Sequence, residues 1–563
     1  MKNKSLTILI SIMLICLCLF GLSACDNNQE TDNRNQDVVA IYNVYVAHAE
    51  ESGETPLSYE DWLVSIKGEK GEKGDKGDKG DAGAQGEKGD TGAQGEKGDK
   101  GDKGDTGYIT ITTEGLTVDT LEELKSSITA GISPITIAKG TTFEISETLL
   151  LPANTILYGN NATFKRATGF EGKLIVMLAN CRVQDLKIDG NRNAMVNPFW
   201  SSTIEIATQR NCIVENVTIN DGNEAIVVYG DDVLVKDCKI YNCGGNGIHF
   251  SGAERTRVED NVVIGANKRS GMGHEDGCII WSDECNYTIC ENNYCEDGKS
   301  GFGSIDYSWN SNVKLIGNTV VNCLVAIEAV KPNTEPEPYE IIFANNHFKN
   351  SGAVQISCSD NENASISELV FSNNILEETR LIIDDAKGAV IEGNIINYSN
   401  LNNSAIHLSC AKDVMIANNK ISSGANVCIY GKMNDTVTVK GNIIETVTVG
   451  DQLDDSKRVI VDGNIIRQSA TATTDNFVIR CANAIVTNNH LTVYAGSGIL
   501  VRDNSSCIGN QIDCKDTTVV AIRVYGGNKN YIITQNMSNG TYSISTGENS
   551  FIENNVTISS VEL

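Results

Sequence analysis

From residue 108 to the C-terminus, apolar and polar positions recur in a short repeating unit. The unit is an apolar residue, two variable residues and an asparagine, and two apolar residues often follow. It occurs, for example, as Ile213 to Asn216, Leu315 to Asn318 and Val439 to Asn442. Short segments rich in β-branched residues predict β-strands, so each unit predicts a strand that ends near its asparagine.

The units recur about every 25 residues, which indicates a solenoid. A leucine-rich repeat would need leucines at fixed offsets, and propeller blades would need about 40 residues. We therefore predict a parallel β-helix in which one asparagine per turn stacks on the next, because asparagine tolerates left-handed backbone and its amide can bond another amide. The predicted stack positions are Asp185, Asn216, Asp237, Asn261, Asn292, Asn318, Asn345, Asn373, Asn394, Asn418, Asn442, Asn464, Asn488, Asn510, Asn536 and Asn554.

This ladder resembles the right-handed parallel β-helix repeats of the pectate-lyase-like superfamily, and the resemblance covers nearly all of 108–563. It implies an all-β right-handed parallel β-helix solenoid. The start of the region resembles the N-terminal helix that closes such solenoids. We expect Asp119 and Glu122 to cap a helix from Leu121 to Ile128, because an open end would expose strand edges.

Glycine occupies every third position from Gly68 to Gly107. This period is typical of collagen, where only glycine fits at the axis of three chains. The tract lacks proline and is rich in Lys, Glu and Asp, as in bacterial collagen-like proteins, which it resembles. We predict a homotrimeric stalk on the order of 100 Å long. Apolar residues at helical spacing predict a short helical collar over 38–67.

Residues 1–24 have a basic start and an apolar core, which predicts a signal peptide. The sequence Leu22 to Cys25 resembles a bacterial lipobox, which implies cleavage before Cys25 and lipidation of its thiol. Residues 25–37 then form a flexible tether. We expect the mature protein to be anchored to the bacterial membrane outside the cytoplasm. An uncleaved membrane anchor is the alternative.

Composition narrows the classes of partner. The formal net charge is -28, which argues against a nucleic-acid partner. The chain has 18 cysteines, and those after Cys25 show no zinc-ligand spacing. We expect them to be buried free thiols that pack as small apolar residues, with disulfides as the alternative.

A candidate site follows from the register of the predicted strands. An inward isoleucine precedes several repeat units by ten residues, as Ile305 precedes Leu315. The next residue then points outward, because side chains alternate along a strand. This predicts an outward column of Val227, His249, Ile280, Asp306, Glu328 and Ser357. Asp306 and Glu328 would lie about 5 Å apart on neighbouring turns.

Turn length points to the same region. Steps between asparagines from Asn261 to Asn373 are 26 to 31 residues, whereas most later steps are 21 to 24. The extra residues must form loops beside the outward column. One loop carries Lys268, Arg269 and His274, and another carries Lys331 after Glu328. An insertion near Trp200 adds an aromatic ring that can stack on a sugar.

Three functions fit these residues. A polysaccharide lyase would use a basic residue and a carboxylate-neutralising cation, with calcium held by Asp306 and Glu328. A glycosidase would use a carboxyl pair as acid and nucleophile or base. A non-catalytic adhesin or glycan-binding module would use the same groove without chemistry. The predicted catalytic residues are Asp306, Glu328, His249, His274 and Lys331, and the predicted substrate-binding residues are Lys268, Arg269 and Trp200.

The expected partner is a polysaccharide, acidic or complex, or a host glycan. The residue pattern of polygalacturonases is not met. Asp231-Asp232 and Gly273-His274-Glu275 match it only in part.

Overall fold

The protein is described by a computed structural model. It covers residues 115–557 except 196–200, 267–276, 283–284, 305–311, 332–339, 359–365, 425–426, 447–448, 454–455, 473–476, 526–529 and 545–549. These residues form a right-handed parallel β-solenoid of about 16 turns, so the predicted fold is confirmed. The predicted signal peptide, lipidation site Cys25, tether, collar and stalk lie outside the described residues.

Each full turn contributes one strand to each of three long parallel sheets. The first sheet contains β1 (Leu116–Val118), β2 (Ile135–Ile137), β5 (Ile156–Tyr158), β8 (Arg182–Gln184), β11 (Ile213–Glu215), β14 (Leu234–Lys236), β17 (Arg257–Glu259), β20 (Ile289–Glu291), β23 (Lys314–Ile316), β26 (Ile341–Ala344), β30 (Leu369–Ser372), β34 (Val390–Glu392), β37 (Val414–Ala417), β40 (Thr436–Lys440), β43 (Arg458–Asp462), β46 (Ala484–Thr487), β49 (Ser506–Ile508), β52 (Ile532–Thr534) and β55 (Phe551–Glu553).

The second sheet follows the first after two residues in most turns, and after four residues in the turns that begin with β2 and β5. It contains β3 (Thr142–Ile145), β6 (Thr163–Arg166), β9 (Lys187–Asp189), β12 (Thr218–Asn220), β15 (Lys239–Tyr241), β18 (Val262–Ile264), β21 (Tyr294–Glu296), β24 (Thr319–Val321), β27 (His347–Lys349), β31 (Ile375–Glu377), β35 (Ile395–Tyr398), β38 (Lys420–Ser423), β41 (Ile443–Thr446), β44 (Ile465–Gln468), β47 (His490–Val493), β50 (Gln511–Cys514), β53 (Met537–Ser538) and β56 (Val556–Thr557).

The third sheet includes the longest strands. It contains β4 (Leu149–Leu151), β7 (Ile175–Met177), β10 (Ser202–Ile206), β13 (Glu224–Val228), β16 (Ile248–Ser251), β19 (Gly277–Ser282), β22 (Ser300–Ser304), β25 (Val325–Lys331), β28 (Ala353–Cys358), β32 (Arg380–Asp384), β36 (Ile406–Ser409), β39 (Val427–Lys432), β42 (Val449–Leu453), β45 (Phe477–Ala482), β48 (Ser497–Arg502), β51 (Val520–Val524) and β54 (Thr541–Ile544). A separate pair joins β29 (Ile366–Ser367) to β33 (Ala386–Lys387).

The core is a stack of inward side chains from all three sheets. Ile226, Ile248 and Ile279 pair in register on successive turns of the third sheet, and each is fully buried. Thirteen of the fourteen described cysteine side chains are buried, and Cys410 is exposed. Burial raises the pKa of the Cys507 thiol to about 12. These thiols therefore pack as small apolar groups in the core.

The asparagine ladder is present, but two adjacent residues in each turn have the two predicted roles: one takes the left-handed backbone and the next stacks. Thirteen asparagines stack between the first and second sheets, twelve of them buried and Asn555 half-buried, and each amide nitrogen except that of Asn555 donates to the side-chain oxygen of the next. They are Asn261, Asn293, Asn318, Asn346, Asn374, Asn394, Asn419, Asn442, Asn464, Asn489, Asn510, Asn536 and Asn555. Each bond spans 2.8–3.1 Å.

The residue before each stacked asparagine takes the left-handed backbone. Asn292 has φ 55°, Gly317 has φ 66° and Asn345 has φ 58°. The predicted stack positions are therefore wrong by one residue at Asn292, Asn345, Asn373, Asn418, Asn488 and Asn554. At Asp185, Asn216 and Asp237 the following residue is Leu, Val or Cys, so the amide stack begins only at Asn261.

A helix closes the N-terminal end of the core, as predicted. Helix α1 (Leu121–Thr129) buries Leu124 and Ile128. Its cap differs from the prediction, because Thr120 and Glu123 form the capping box rather than Asp119 and Glu122. The Thr120 hydroxyl accepts from the backbone of Glu123, and the Glu123 carboxylate accepts from the backbone of Thr120. Within the described part of the chain, no helix is long and apolar enough to cross a membrane.

Candidate functional site

The outer face of the third sheet carries one column of side chains that continues from turn to turn. In register order it reads Val227, His249, Ile280, Gly303, Glu328, Gln355, Ile382, His407 and Tyr430. The prediction is correct for Val227, His249, Ile280 and Glu328.

The predicted place of Asp306 in this column is wrong. Gly303 lies between Ile280 and Glu328, and the inward residue of its strand is Phe302 rather than Ile305. The cause is close packing around small residues. A Cβ atom at Gly303 would lie 2.7 Å from the Cδ1 atom of Ile280. The pattern of apolar residues does not reveal that a glycine occupies this column position. The predicted register was therefore wrong by three residues, with Asp306 in place of Gly303.

The predicted place of Ser357 is wrong by two residues. Gln355 follows Glu328 in the column, whereas Ser357 pairs with Val330. The strand contains two buried inward residues, Val354 and Ile356, and spacing alone did not identify which of them aligns with the preceding turn.

The structure separates the two predicted catalytic side chains that it describes. His249 and Glu328 are three turns apart, which is about 14 Å at the usual strand spacing. The Glu328 carboxylate accepts a hydrogen bond from the Ser300 hydroxyl at 3.5 Å. The side chains of Trp200, Lys268, Arg269, His274, Asp306 and Lys331 lie outside the described residues.

The predicted calcium pair therefore has one described member. The column neighbours of Glu328 are Gly303 and Gln355, so no second carboxylate adjoins it within the column. In the described ranges, no group of three or more His, Cys, Asp and Glu side chains is arranged to hold a metal ion.

A pocket lies further along the same face, over β32, β36 and β39. It encloses about 300 Å³, a volume that suits one small polar unit of a ligand. Strand alternation places Arg380, His407 and Tyr430 outward while their strand neighbours are buried in the core. The lining residues are Arg380, Leu401, Asn402, Asn403, Ser404, His407, Val427 and Tyr430.

One wall of the pocket is the loop between β35 and β36. The loop is held at its start by Glu378, whose carboxylate accepts hydrogen bonds from the Ser399 backbone and hydroxyl at 3.1 and 2.8 Å. The Asn400 side chain accepts from the Asn402 backbone at 2.9 Å. These bonds fix the backbone that presents Asn402 and its neighbours to the pocket.

The pocket contains a cation, Arg380, that forms no contact ion pair with the described residues, although its charge acts on the Asp384 carboxylate. The Arg380 guanidinium makes no ion pair there, and its buried Nε atom has no hydrogen-bond partner. A buried donor without a partner costs free energy, which an acceptor from a ligand would recover.

The groups around Arg380 are tuned by burial and by neighbouring charge. Burial lowers the pKa of His407, and the cations Arg380 and Lys432 lower it further. Burial raises the pKa of Asp384 to about 6, Asp385 raises it too, and Arg380 opposes the shift. The His407 and Tyr430 ring centroids are 5.1 Å apart.

A line of cations continues from the pocket towards the C-terminus. Lys432 lies on β39, two residues after the column residue Tyr430. Arg480 and Arg523 lie in one column with each other, two turns apart. Arg502 lies on the strand between them, and Arg480 also packs over the Phe477 ring at 5.9 Å. We call Arg380, Lys432, Arg480, Arg502 and Arg523 the basic stripe.

The sequence contained a signal for this site that the prediction did not follow. His407 and Tyr430 belong to the same column as His249 and Glu328, so extending a correct register would have reached them. Arg380 is less visible, because it lies two residues before the column residue Ile382. The length of the turns indicated the region between Asn261 and Asn373 instead, because the loop that forms the pocket wall is of ordinary length.

Comparison with known proteins agrees with the fold. The profile described as "Right handed beta helix region" matches residues 173–348 and 353–512, and that of "Collagen triple helix repeat (20 copies)" matches 65–110. A search of curated proteins finds no significant match.

Solved structures with a similar fold include PfbA, a surface adhesin of Streptococcus pneumoniae. It is 14% identical, with a TM-score of 0.39 over 59% of this chain and 86% of that one. The pre-mature bacteriophage phi29 gene product 12 is 13% identical, with a TM-score of 0.45 over 77% and 71%. The Azotobacter vinelandii mannuronan C-5 epimerase AlgE6 A-module is 15% identical, with a TM-score of 0.32 over 77% and 92%. At these identities the likenesses concern the fold alone.

Proposed function

Because the chain belongs to the right-handed beta helix family, we propose that its solenoid binds an anionic polysaccharide along the outer face of the third sheet. The observation that carries this proposal is the Arg380 pocket. It joins the Arg380 guanidinium, whose buried Nε atom has no hydrogen-bond partner in the described residues, to an aromatic ring and amide side chains, which are the groups that hold a charged sugar.

The basic stripe gives the ligand its shape. It runs over six steps between turns, from β32 to β51, which is about 29 Å at the usual strand spacing. A linear polymer covers such a stripe better than a compact ligand does. The basic stripe is a local excess of positive charge, because the whole chain carries a net charge of -28.

Charge spacing favours a polyuronate over a nucleic acid. Duplex DNA carries one negative charge per about 1.7 Å of axis, which this strongly acidic protein would repel. An acidic polysaccharide carries at most a few charges per sugar unit. Cations placed one to a turn, or one to two turns, match that lower density better.

The rest of the molecule fits a cell-surface location. We propose that Cys25 carries a lipid anchor and that the 68–107 tract trimerises as a stalk. The polymer would then be bound away from the membrane, as a cell-surface polysaccharide or a host glycan. This arrangement serves an adhesin and a surface enzyme equally.

The test is binding to a matched pair of polymers. The full-length protein should bind a polyuronate and bind its carboxyl-reduced, neutral form much more weakly. Binding should weaken as salt rises, because exposed charges are screened. Arg380→Gln should weaken binding about tenfold or more, since it removes a charge-assisted hydrogen bond.

The matched control is Arg458→Gln. Arg458 is an exposed arginine on β43 of the first sheet, so the variant makes the same charge change away from the pocket. Equal binding of the charged and neutral polymers would contradict the proposal, and so would equal losses in the two arginine variants.

A second candidate is cleavage at the part of the column that contains His249 and Glu328. The observation in its favour is that His249 and Glu328 do face outward on the same sheet. Product formation that is lost in Glu328→Gln or Asp306→Asn would support it. Binding without any product would leave an adhesin or glycan-binding module.

A further inference from the structure

The Arg380 pocket contains more than a binding site requires. A guanidinium, an imidazole and a phenol line one cavity of about 300 Å³, and the two rings lie 5.1 Å apart. Binding an anion needs only the first of these. The other two are groups that exchange protons in catalysis.

The protonation states suit a base next to a bound anion. Burial and two neighbouring cations lower the pKa of His407, so its imidazole is neutral at neutral pH and can accept a proton. The Arg380 guanidinium lines the same cavity and can bind a carboxylate through two hydrogen bonds. The other charged groups near these residues are Asp384, Asp385 and Lys432.

We propose that this pocket cleaves uronate polymers by β-elimination, with His407 as the base, Tyr430 as the acid and Arg380 bound to the uronate carboxylate. The inference rests on the proposed function, because the same pocket must first bind the polymer. It places the chemistry in the same column as Glu328 but three turns further along, at His407.

The step balances without a redox partner. Arg380 neutralises the carboxylate, which makes the hydrogen on the adjacent ring carbon more acidic. His407 takes that proton, and the released electron pair forms a carbon–carbon double bond. The bond from the next ring carbon to the glycosidic oxygen breaks, and the oxygen takes a proton from the Tyr430 hydroxyl. Proton exchange with water then restores both side chains. The products are one unsaturated uronate end and one new hydroxyl end.

The experiment follows the ultraviolet absorbance of the unsaturated product. The full-length protein is incubated with homopolymers of mannuronate, guluronate, galacturonate and glucuronate, and binding is measured in parallel. We expect unsaturated ends from at least one polymer. His407→Gln should lower kcat about 100-fold or more while the polymer Kd changes little, because a general base acts in the transition state. Tyr430→Phe should also lower kcat.

The control variant is His490→Gln, which changes a histidine on β47 of the second sheet, away from the pocket. It should leave turnover unchanged. The wild-type rate should fall as the pH drops through the lowered pKa of His407, and this limb should be absent from the residual activity of His407→Gln.

The outcomes separate the two proposals. Binding of a polyuronate with no unsaturated product would overturn the elimination step and leave the proposed binding function standing. Turnover that survives His407→Gln and Tyr430→Phe but disappears in Glu328→Gln would place the chemistry at Glu328 and overturn the assignment to the Arg380 pocket. No binding to any uronate polymer would overturn both proposals.

Discussion

At the residue scale, the side chain of a stacked asparagine makes several hydrogen bonds, both to backbone carbonyls and to the asparagines of neighbouring turns. The Asn442 amide donates to the Ile416 carbonyl at 2.9 Å and to Asn464 at 3.0 Å, and its oxygen accepts from Asn419. Because all of these groups are buried, removing the amide leaves several partners unsatisfied.

We therefore expect Asn442→Ala to lower the free energy of unfolding by about 3 kcal/mol. Asn397→Ala is the matched control, because Asn397 is exposed on β35. Urea unfolding followed by circular dichroism measures both variants. A loss in Asn442→Ala no larger than in the control would show that the amide stack contributes little to stability.

The pKa of Asp384 predicts a pH dependence of ligand binding. The pKa is raised to about 6, so this carboxyl is neutral in more acidic solution and ionised at neutral pH. When ionised, it repels an anion bound at Arg380. His407 gains charge as the pH falls, which acts in the same direction. The other charged groups beside Asp384 and His407 are Asp385, Arg380 and Lys432. Uronate carboxylates stay ionised until about pH 4.

Polyuronate binding by the wild-type protein should therefore tighten between about pH 7 and about pH 5. Asp384→Asn should strengthen binding about threefold at neutral pH and make little difference in acid. Calorimetric titration at the two pH values measures this. Weaker binding of Asp384→Asn at neutral pH would mean that Asp384 supports the ligand instead of repelling it.

Single residues also mark where sequence reasoning succeeded and failed. Asn442 was identified correctly, because a glycine precedes it and only one asparagine was available. At Asn292-Asn293 the pattern offered two asparagines, and backbone conformation alone distinguishes the left-handed residue from the stacked one. Gly303 has no side chain, so the pattern of apolar residues did not indicate it as a column position. The prediction assigned that position to Asp306 instead.

At the element scale, short strands gain their stability from the turns above and below. Each strand has only a few residues, so register follows from which inward residue stacks on which. The fold was predictable because every turn repeats the same alternation. The pocket was not predicted, because the column was followed only as far as Ser357 and because Arg380 lies two residues before the column residue Ile382.

The capping helix gives a test at this scale. Thr120→Ala should destabilise the start of α1 by about 1 kcal/mol, because the Thr120 hydroxyl caps the Glu123 backbone. Asp119→Ala, at the position that sequence alone indicated as the cap, should change it much less. Amide hydrogen exchange of α1 measures the difference. Faster exchange in Asp119→Ala than in Thr120→Ala would contradict the assigned cap.

At the scale of the whole molecule, the collagen-like tract predicts the number of chains. Fourteen consecutive glycine triplets need three chains to bury their glycines at one axis. A trimer would present three solenoids, and therefore three Arg380 pockets, to one polymer. Multivalent binding of this kind tightens attachment without any new contact.

The full-length protein should therefore sediment as a trimer at low temperature. Gly86→Val should lower the melting temperature of the collagen-type dichroism, because a larger side chain does not fit at the axis. The β-sheet signal of the solenoid should melt as in the wild type. A monomer without collagen-type dichroism would show that the tract is a single-chain spacer.

The central claim is that the polymer binds along the outer face of the third sheet, and a structure of the complex tests it most directly. We propose electron cryomicroscopy of the full-length protein with a short oligo-uronate. The account predicts ligand density along the basic stripe, with one carboxylate within hydrogen-bond distance of the Arg380 guanidinium. Density on the first or second sheet, with an empty Arg380 pocket, would contradict it.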